Sequence, residues 1–381
     1  MRGNFHFFGP VLTLLCLAMN LYSARRLAVL LKTGRAASAG LAALFTALAL
    51  SFPAAHPLEA AAGGAAGRAF LWFGFFWLGA GFILFWVLLA ADLVYAGLGA
   101  LGARRPSGRA WALGALAAAA ALTALGLAEA AAGPRVRRVD VPLAGLPREL
   151  DGFTIAQVSD LHLGRMTGAD ALARLADEIA VLKPDLVVFT GDFSERRENV
   201  PESACALVGR LRGRYGAAAA LGNHDLPSGG APGGGFLELC GVKVLRGRAY
   251  SPAPGLEVGG VDDLRRSPLT AGRAAALAGE LFRPGRAAVL LSHRPQGWET
   301  VTGGRPALVL AGHTHDGQLF PFNLLERPFF KYFYGLYRDR ATEVYVTSGA
   351  GTWGPPLRLF TSSELPLLTL RPAVAPPLKK I

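Results

Sequence analysis

From residue 69 to residue 95 the chain holds only apolar and small residues apart from Asp92. A helix of about 20 apolar residues is what crosses the hydrocarbon core of a bilayer, and this stretch exceeds that length. Trp72, Trp77, Trp86 and Tyr95 suit interfacial or packed positions within it. Three further apolar stretches lie at 5–23, 39–55 and 110–132. The second is short and stops at Pro53, and the fourth is rich in weakly apolar alanine. A re-entrant or amphipathic helix is therefore the competing reading for those two. A cleavable signal peptide has one apolar core after a basic start, and the recurrence of apolar segments argues against it. The expected organisation is a transmembrane region of about four helices at 1–133, a linker at 134–148, a second domain at 149–372 and a tail at 373–381.

Loop charges orient such spans, because short cytoplasmic loops are enriched in Lys and Arg. Arg25, Arg26, Lys32 and Arg35 follow the first stretch, and Arg104, Arg105 and Arg109 follow the third, whereas the loop after the second holds only Arg68. Segments one and three thus exit into the cytoplasm. Four spans then put the N-terminus and the C-terminal domain outside the cell (plasma or inner) membrane. Arg135, Arg137 and Arg138 pull the other way. The net charge of +12 fits membrane lipids or an anionic substrate as partners. No Lys/Arg run of the kind that forms a nucleic-acid arm is present, so nucleic acid is not expected. Cys16, Cys205 and Cys240 form no CxxC pair, and their spacing predicts neither a disulfide framework nor a zinc knuckle.

From about residue 139 the pattern changes to short apolar runs alternating with helical stretches. Strands are predicted at 153–158, 186–190, 217–221, 242–245, 256–261, 288–291, 308–310, 344–347 and 367–370. Leu172, Leu175, Ile179 and Leu182 recur at helical spacing, and further helices are predicted within 201–214 and at 270–281. Residues 226–235 read as a Gly/Pro-rich loop. The alternation predicts an α/β domain with parallel neighbours.

Five short motifs sit just past these strands: Asp160-Leu-His162, Gly191-Asp192, Gly222-Asn223-His224-Asp225, His293, and Gly312-His313-Thr-His315. In open α/β sheets ligands bind outside the carboxyl ends of strands, so the motifs should converge. Five of the seven histidines lie in them, and the other two, His6 and His56, lie in the apolar third. Imidazole, carboxylate and amide oxygen together suit zinc, manganese or iron and fit calcium poorly. Two such cations about 3.5–4 Å apart can clamp the attacking and leaving oxygens of a phosphoester. A neighbouring imidazole can protonate the leaving oxygen.

These motifs, in this order, resemble those of the calcineurin-like metallophosphoesterase superfamily, and more narrowly its bacterial, membrane-anchored YkuE/YaeI-type branch. The resemblance spans 147–372. It implies a four-layer α/β/β/α sandwich and a metal-dependent phosphodiesterase or phosphatase with two divalent metal ions. By motif, one metal takes Asp160, His162 and His315, the other Asn223, His293 and His313, and Asp192 bridges them. His224 becomes the acid and Asp225 its orienting partner. Two departures from the branch concern substrate: Asp316 stands where Gly is common, and Ser348 stands where an Arg is common. Arg358 is the expected replacement contact. In 327–340 aromatic and basic residues interleave, a composition suited to a membrane interface, to a base-stacking surface or to plain core packing, and it motivates a lipid-linked phosphoester as substrate. The alternative is a membrane receptor or scaffold with an inactive hydrolase domain. The oligomeric state is left open.

Overall fold

The computed structural model describes residues 5–164, 166–195, 204–226 and 235–373. They form two units. One holds the chain up to Ala131 together with Gly354–Phe360, and the other holds the remainder.

The first unit is helical: α1 (Phe5–Leu31), α2 (Arg35–Ala62), α3 (Gly64–Ala100) and α4 (Gly108–Ala131). All four are long and apolar enough to cross a bilayer, as in an integral membrane protein. At about 1.5 Å per residue, even the 24 residues of α4 exceed the hydrocarbon thickness of about 30 Å. The expected stop at Pro53 does not occur. Instead α2 continues through Pro53 and Pro57, and α4 is likewise one continuous helix. A proline inside a helix removes one backbone bond, which packed membrane helices tolerate. Small residues let the backbones close up: a Cβ on Gly74 would lie 2.6 Å from the Ser51 carbonyl oxygen. Asp92 of α3 accepts from Arg26 Nη2 and from the Tyr22 hydroxyl, both at 2.5 Å. That pair ties α1 to α3. Within the same unit, Arg358 is fully buried and its N–H donates to the Gly126 carbonyl at 2.9 Å.

The second unit runs through β1 (Arg135–Leu143), β2 (Thr154–Val158), α5 (Ala169–Leu182), β3 (Leu186–Thr190), α6 (Ala204–Arg210), β4 (Ala217–Ala220), α7 (Gly235–Leu239), β5 (Lys243–Val244), β6 (Arg248–Ala253), β7 (Leu256–Val261), α8 (Ala271–Leu281), β8 (Ala287–Ser292), α9 (Glu299–Thr302), β9 (Leu308–Ala311), α10 (Phe322–Glu326), β10 (Gly335–Asp339), β11 (Thr342–Val346) and β12 (Glu364–Pro372). The strands make two six-stranded sheets, in the orders β1-β12-β2-β3-β4-β5 and β10-β11-β9-β8-β7-β6. Their central pairs are parallel.

Alternate residues decide the layering. Ile155, Val188 and Ala218 of the first sheet pack with Val258, Val289 and Leu310 of the second. The opposite faces carry Ala156, Val187 and Ala219 against Leu172 and Leu175 of α5, and Leu290 and Val309 against Leu277 and Leu281 of α8. Both faces of β3, β4, β8 and β9 are therefore covered, which is why these strands read as unbroken apolar runs. The result is the α/β/β/α sandwich.

Three strands escaped prediction. Residues 135–143, assigned to a linker, form β1, which pairs parallel with β12 along its whole length. Of its nine residues only Val141 and Leu143 are buried, so its sequence carries little apolar signal. β6 and β10 are edge strands with the same weakness. Cys205 and Cys240, 35 positions apart, form a disulfide, which the sequence spacing did not predict. The expected loop at 226–235 and the tail at 373–381 lie outside the described residues except at Leu226, Gly235 and Ala373.

Candidate metal centre

The strand ends that carry the motifs come from both sheets. Asp160 and His162 follow β2, Asp192 follows β3, and Asn223 follows β4. His293 follows β8, and His313 and His315 follow β9. The two sheets lie face to face, so all seven side chains meet at one rim.

They meet as two adjoining groups that share Asp192. In one, His162 Nε2 lies 3.2 Å from His315 Nε2 and 3.9 Å from Asp192 Oδ2, and His315 Nε2 lies 3.5 Å from Asp160 Oδ1. In the other, His293 Nε2 lies 3.2 Å from each of Asp192 Oδ2, Asn223 Oδ1 and His313 Nδ1. Lone pairs thus converge on lone pairs inside protein. Two imidazole nitrogens facing each other at 3.2 Å can share at most one proton, and carboxylate and amide oxygens only add acceptors. Such a donor set fits a cation in each group.

The backbone is shaped for this. Asp160, His162, Asp192, His313 and His315 all have φ between 50° and 75°, a region non-glycine residues enter rarely. Asp316 also sits at φ 52°. Gly312 and Gly222 are required by space: a Cβ on either would lie 2.1 Å from a carboxylate oxygen, of Asp160 and of Asp192 respectively.

Outer contacts fix the ligands. His293 Nδ1 lies 2.9 Å from the Thr190 carbonyl, which assigns its proton to that nitrogen and leaves Nε2 for the cluster. Ser159 Oγ and the His313 N–H donate to Asp160, at 2.5 and 3.1 Å. The His224 N–H donates to Asp192 Oδ1 at 2.8 Å.

Charge balance follows from burial. Burial pushes the Asp160 carboxyl up from its ordinary value. Burial would push Asp192 up too, but the facing imidazoles of His293 and His162 hold it well below. His293 is opposed by burial and raised to about 10 by Asp192 and Asp160. Burial, with the negative charge of Asp192, lifts Asp225 to about 6.

His224 stands beside the cluster, but its ring partner is not Asp225. Asp225 accepts the N–H groups of Ser194, at 3.1 Å, and Gly222, at 2.9 Å, and so braces the loop. The carboxylate at the His224 ring is Glu195: Oε2 lies 3.3 Å from His224 Nδ1 and Oε1 lies 2.8 Å from His162 Nδ1. Burial opposes charge on His224, but the Glu195 bond raises its pKa above the ordinary value. Sequence reasoning missed Glu195, which lies in no motif. It missed Arg294 as well, although that residue directly follows a ligand. Arg358, expected at the substrate, is placed by the structure in the helical unit.

Residues 153–317, which contain all seven clustered side chains, match the family described as calcineurin-like phosphoesterase. A transmembrane protein with metallophosphoesterase domain from Danio rerio is 34% identical over 274 residues, covering 68% of this chain and 62% of that protein. The chain thus spans about three fifths of the length of that relative. The metallophosphoesterase YkuE of Bacillus subtilis is 32% identical over 238 residues, covering 59% of this chain and 82% of YkuE. A metallophosphoesterase of Aquifex aeolicus is 30% identical over 244 residues, covering 62% of this chain and 92% of its own. With relatives this similar matched along most of their own length, the chain belongs to the calcineurin-like metallophosphoesterase family.

Proposed function

We propose that this protein is a membrane-anchored hydrolase of phosphoester bonds. The observation that carries the reading is the convergence of seven ligand side chains, all buried but the half-buried His313, into two groups sharing Asp192. Asp160, His162 and His315 would hold one divalent cation, and Asn223, His293 and His313 would hold the other. Asp192 lies between them, oriented by the His224 N–H. When bound, two cations of manganese, iron or zinc supply Lewis-acid charge and an ionised water at neutral pH. His224, whose protonated form is favoured by the Glu195 carboxylate at its ring against the opposing effect of burial, donates its proton to the leaving oxygen. Asp225 holds the loop that presents it.

A lipid-linked phosphoester suits the surroundings. Phe330 lies 6.1 Å from the His313 ring, centroid to centroid. Phe322, Leu324, Leu325 and Phe329 nearby are exposed, and Arg327 stands among them. An apolar rim with a cation is what a bilayer interface accepts. For location, we read the catalytic unit as lying outside the cell membrane. The loop charges support this, as does the Cys205–Cys240 disulfide, because disulfides persist in oxidising compartments.

The test uses the full chain in detergent. Bound metal is measured by elemental analysis and turnover with bis-p-nitrophenyl phosphate and manganese, beside Asp192→Asn. Two metals per chain and hydrolysis abolished in the variant are expected. A folded wild type with neither metal nor turnover would sink the reading and favour a receptor or scaffold. The lipid assignment requires faster turnover of lipid-linked phosphodiesters than of soluble nucleotides; equal or reversed rates retire it.

A further inference from the structure

Arg294 follows His293 at the end of β8, and its guanidinium lies against the ligand cluster. The side chain is 12% exposed. Its Nε donates to Asp263 Oδ2 at 2.5 Å. Asp263 is buried, and its Oδ1 accepts the N–H groups of Arg265 and Arg266 at 3.1 and 2.9 Å. The backbone therefore fixes the carboxylate, and the carboxylate fixes one edge of the guanidinium. The other edge faces the site: Nη2 donates to Asn223 Oδ1 at 3.2 Å, and Nη1 touches His313 Nε2.

Both of those partners have a second obligation. Asn223 Oδ1 and His313 Nδ1 point at His293 Nε2, in the group that fits a cation. A neutral imidazole carries one proton. With the Nδ1 lone pair given to a cation, the proton of His313 sits on Nε2. Nε2 is then a donor, and it cannot accept from Arg294. A guanidinium has five N–H donors and does not deprotonate. In the loaded site its free edge needs a new acceptor beside the second ligand group. A phosphoryl group offers oxygens at the spacing a guanidinium fork matches.

We propose that Arg294, held by Asp263, grips a non-bridging oxygen of the substrate phosphoryl group. The proposal rests on the phosphoesterase reading above and names the contact that binds the phosphate. Asp263 is a positioning residue.

The test compares the manganese-loaded full chain with Arg294→Ala, Arg294→Lys and Asp263→Asn. Metal per chain is measured by elemental analysis, affinity for inorganic phosphate by calorimetry, and kcat and KM with bis-p-nitrophenyl phosphate. Arg294→Ala should keep its metal and bind phosphate roughly 10- to 100-fold more weakly, the worth of one or two charge-assisted hydrogen bonds. Arg294→Lys should recover part of that affinity, since it keeps the charge and loses the fork. Asp263→Asn should weaken phosphate binding and raise KM without loss of metal. Unchanged phosphate affinity in both Arg294 variants overturns the proposal. So does metal loss in step with phosphate loss, which would make Arg294 a brace for Asn223 and His313. Should the Ala variant fail to fold, the Lys variant alone decides. A wild type that binds metal and phosphate but hydrolyses nothing overturns the phosphoesterase reading, and the phosphate comparison still judges Arg294.

Discussion

Asp160, His162, Asp192, His313 and His315 hold left-handed backbone conformations that cost about 1–3 kcal/mol each when surrounding structure must enforce them. Close packing around them supplies that enforcement, and it makes single atoms matter. Gly312→Ala should expel the Asp160 carboxylate from its place, because the added carbon would sit 2.1 Å from Oδ2. Metal content and turnover should both fall although no ligand is changed; a variant with full metal content would contradict this. His224→Ala should separate the two roles. Metal is retained and kcat falls roughly 10²- to 10⁴-fold, the usual contribution of a positioned proton donor. Equal loss of metal would reassign His224 as a ligand.

At the scale of elements, the disulfide between α6 and the end of α7 closes the segment that carries Asn223, His224 and Asp225. Cross-linking removes freedom from the unfolded chain, and a bridge of this kind is typically worth about 2–4 kcal/mol. Replacing both Cys205 and Cys240 with Ser should lower the unfolding midpoint, and adding reductant to the wild type should reproduce the shift. A midpoint insensitive to both would remove the bridge from the argument. A second element, α10, carries Glu326, whose carboxyl is raised from 4.5 to about 7 by burial and by Asp316. The folded state therefore binds this proton more tightly than the unfolded state. Its contribution is complete below pH 4.5 and is lost as pH rises through 7. Glu326→Gln should flatten the stability of the catalytic unit across that window, and an unchanged slope would place Glu326 in water.

For the whole molecule, four helices long and apolar enough to cross a bilayer and a disulfide-bearing α/β unit make one prediction about sidedness. A reporter active only in the cytoplasm, fused after residue 140, should be silent, and a periplasm-type reporter at the same position should be active. The reverse pattern would place the disulfide in a reducing compartment and undo the proposed location. Arg135, Arg137 and Arg138 argue against the outside assignment, because they follow closely on the end of α4; in the structure they lie on β1, paired with β12.

Much of this was legible in the chain itself, for reasons of chemistry and period. An apolar run longer than a bilayer is thick has few other homes, so α3 is written plainly, whereas the short run before Pro53 and the Ala-rich run of α4 left the second and fourth helices open. Central strands buried on both faces are continuous apolar runs, and metal-binding chemistry confines the useful side chains to a few types, so Asp160, His162, Asp192, Asn223, His293, His313 and His315 could be picked out from their places after those strands. What escaped was set by contacts across long sequence distances. The edge strands β1, β6 and β10 are recruited by pairing with neighbours, not by their own pattern. Cys205 and Cys240 are joined by the packing of two short helices. Glu195 replaces Asp225 beside His224, and Asp263 turns Arg294 toward the ligands. A carboxylate's partner is chosen by three-dimensional proximity, and only the tertiary structure decides that.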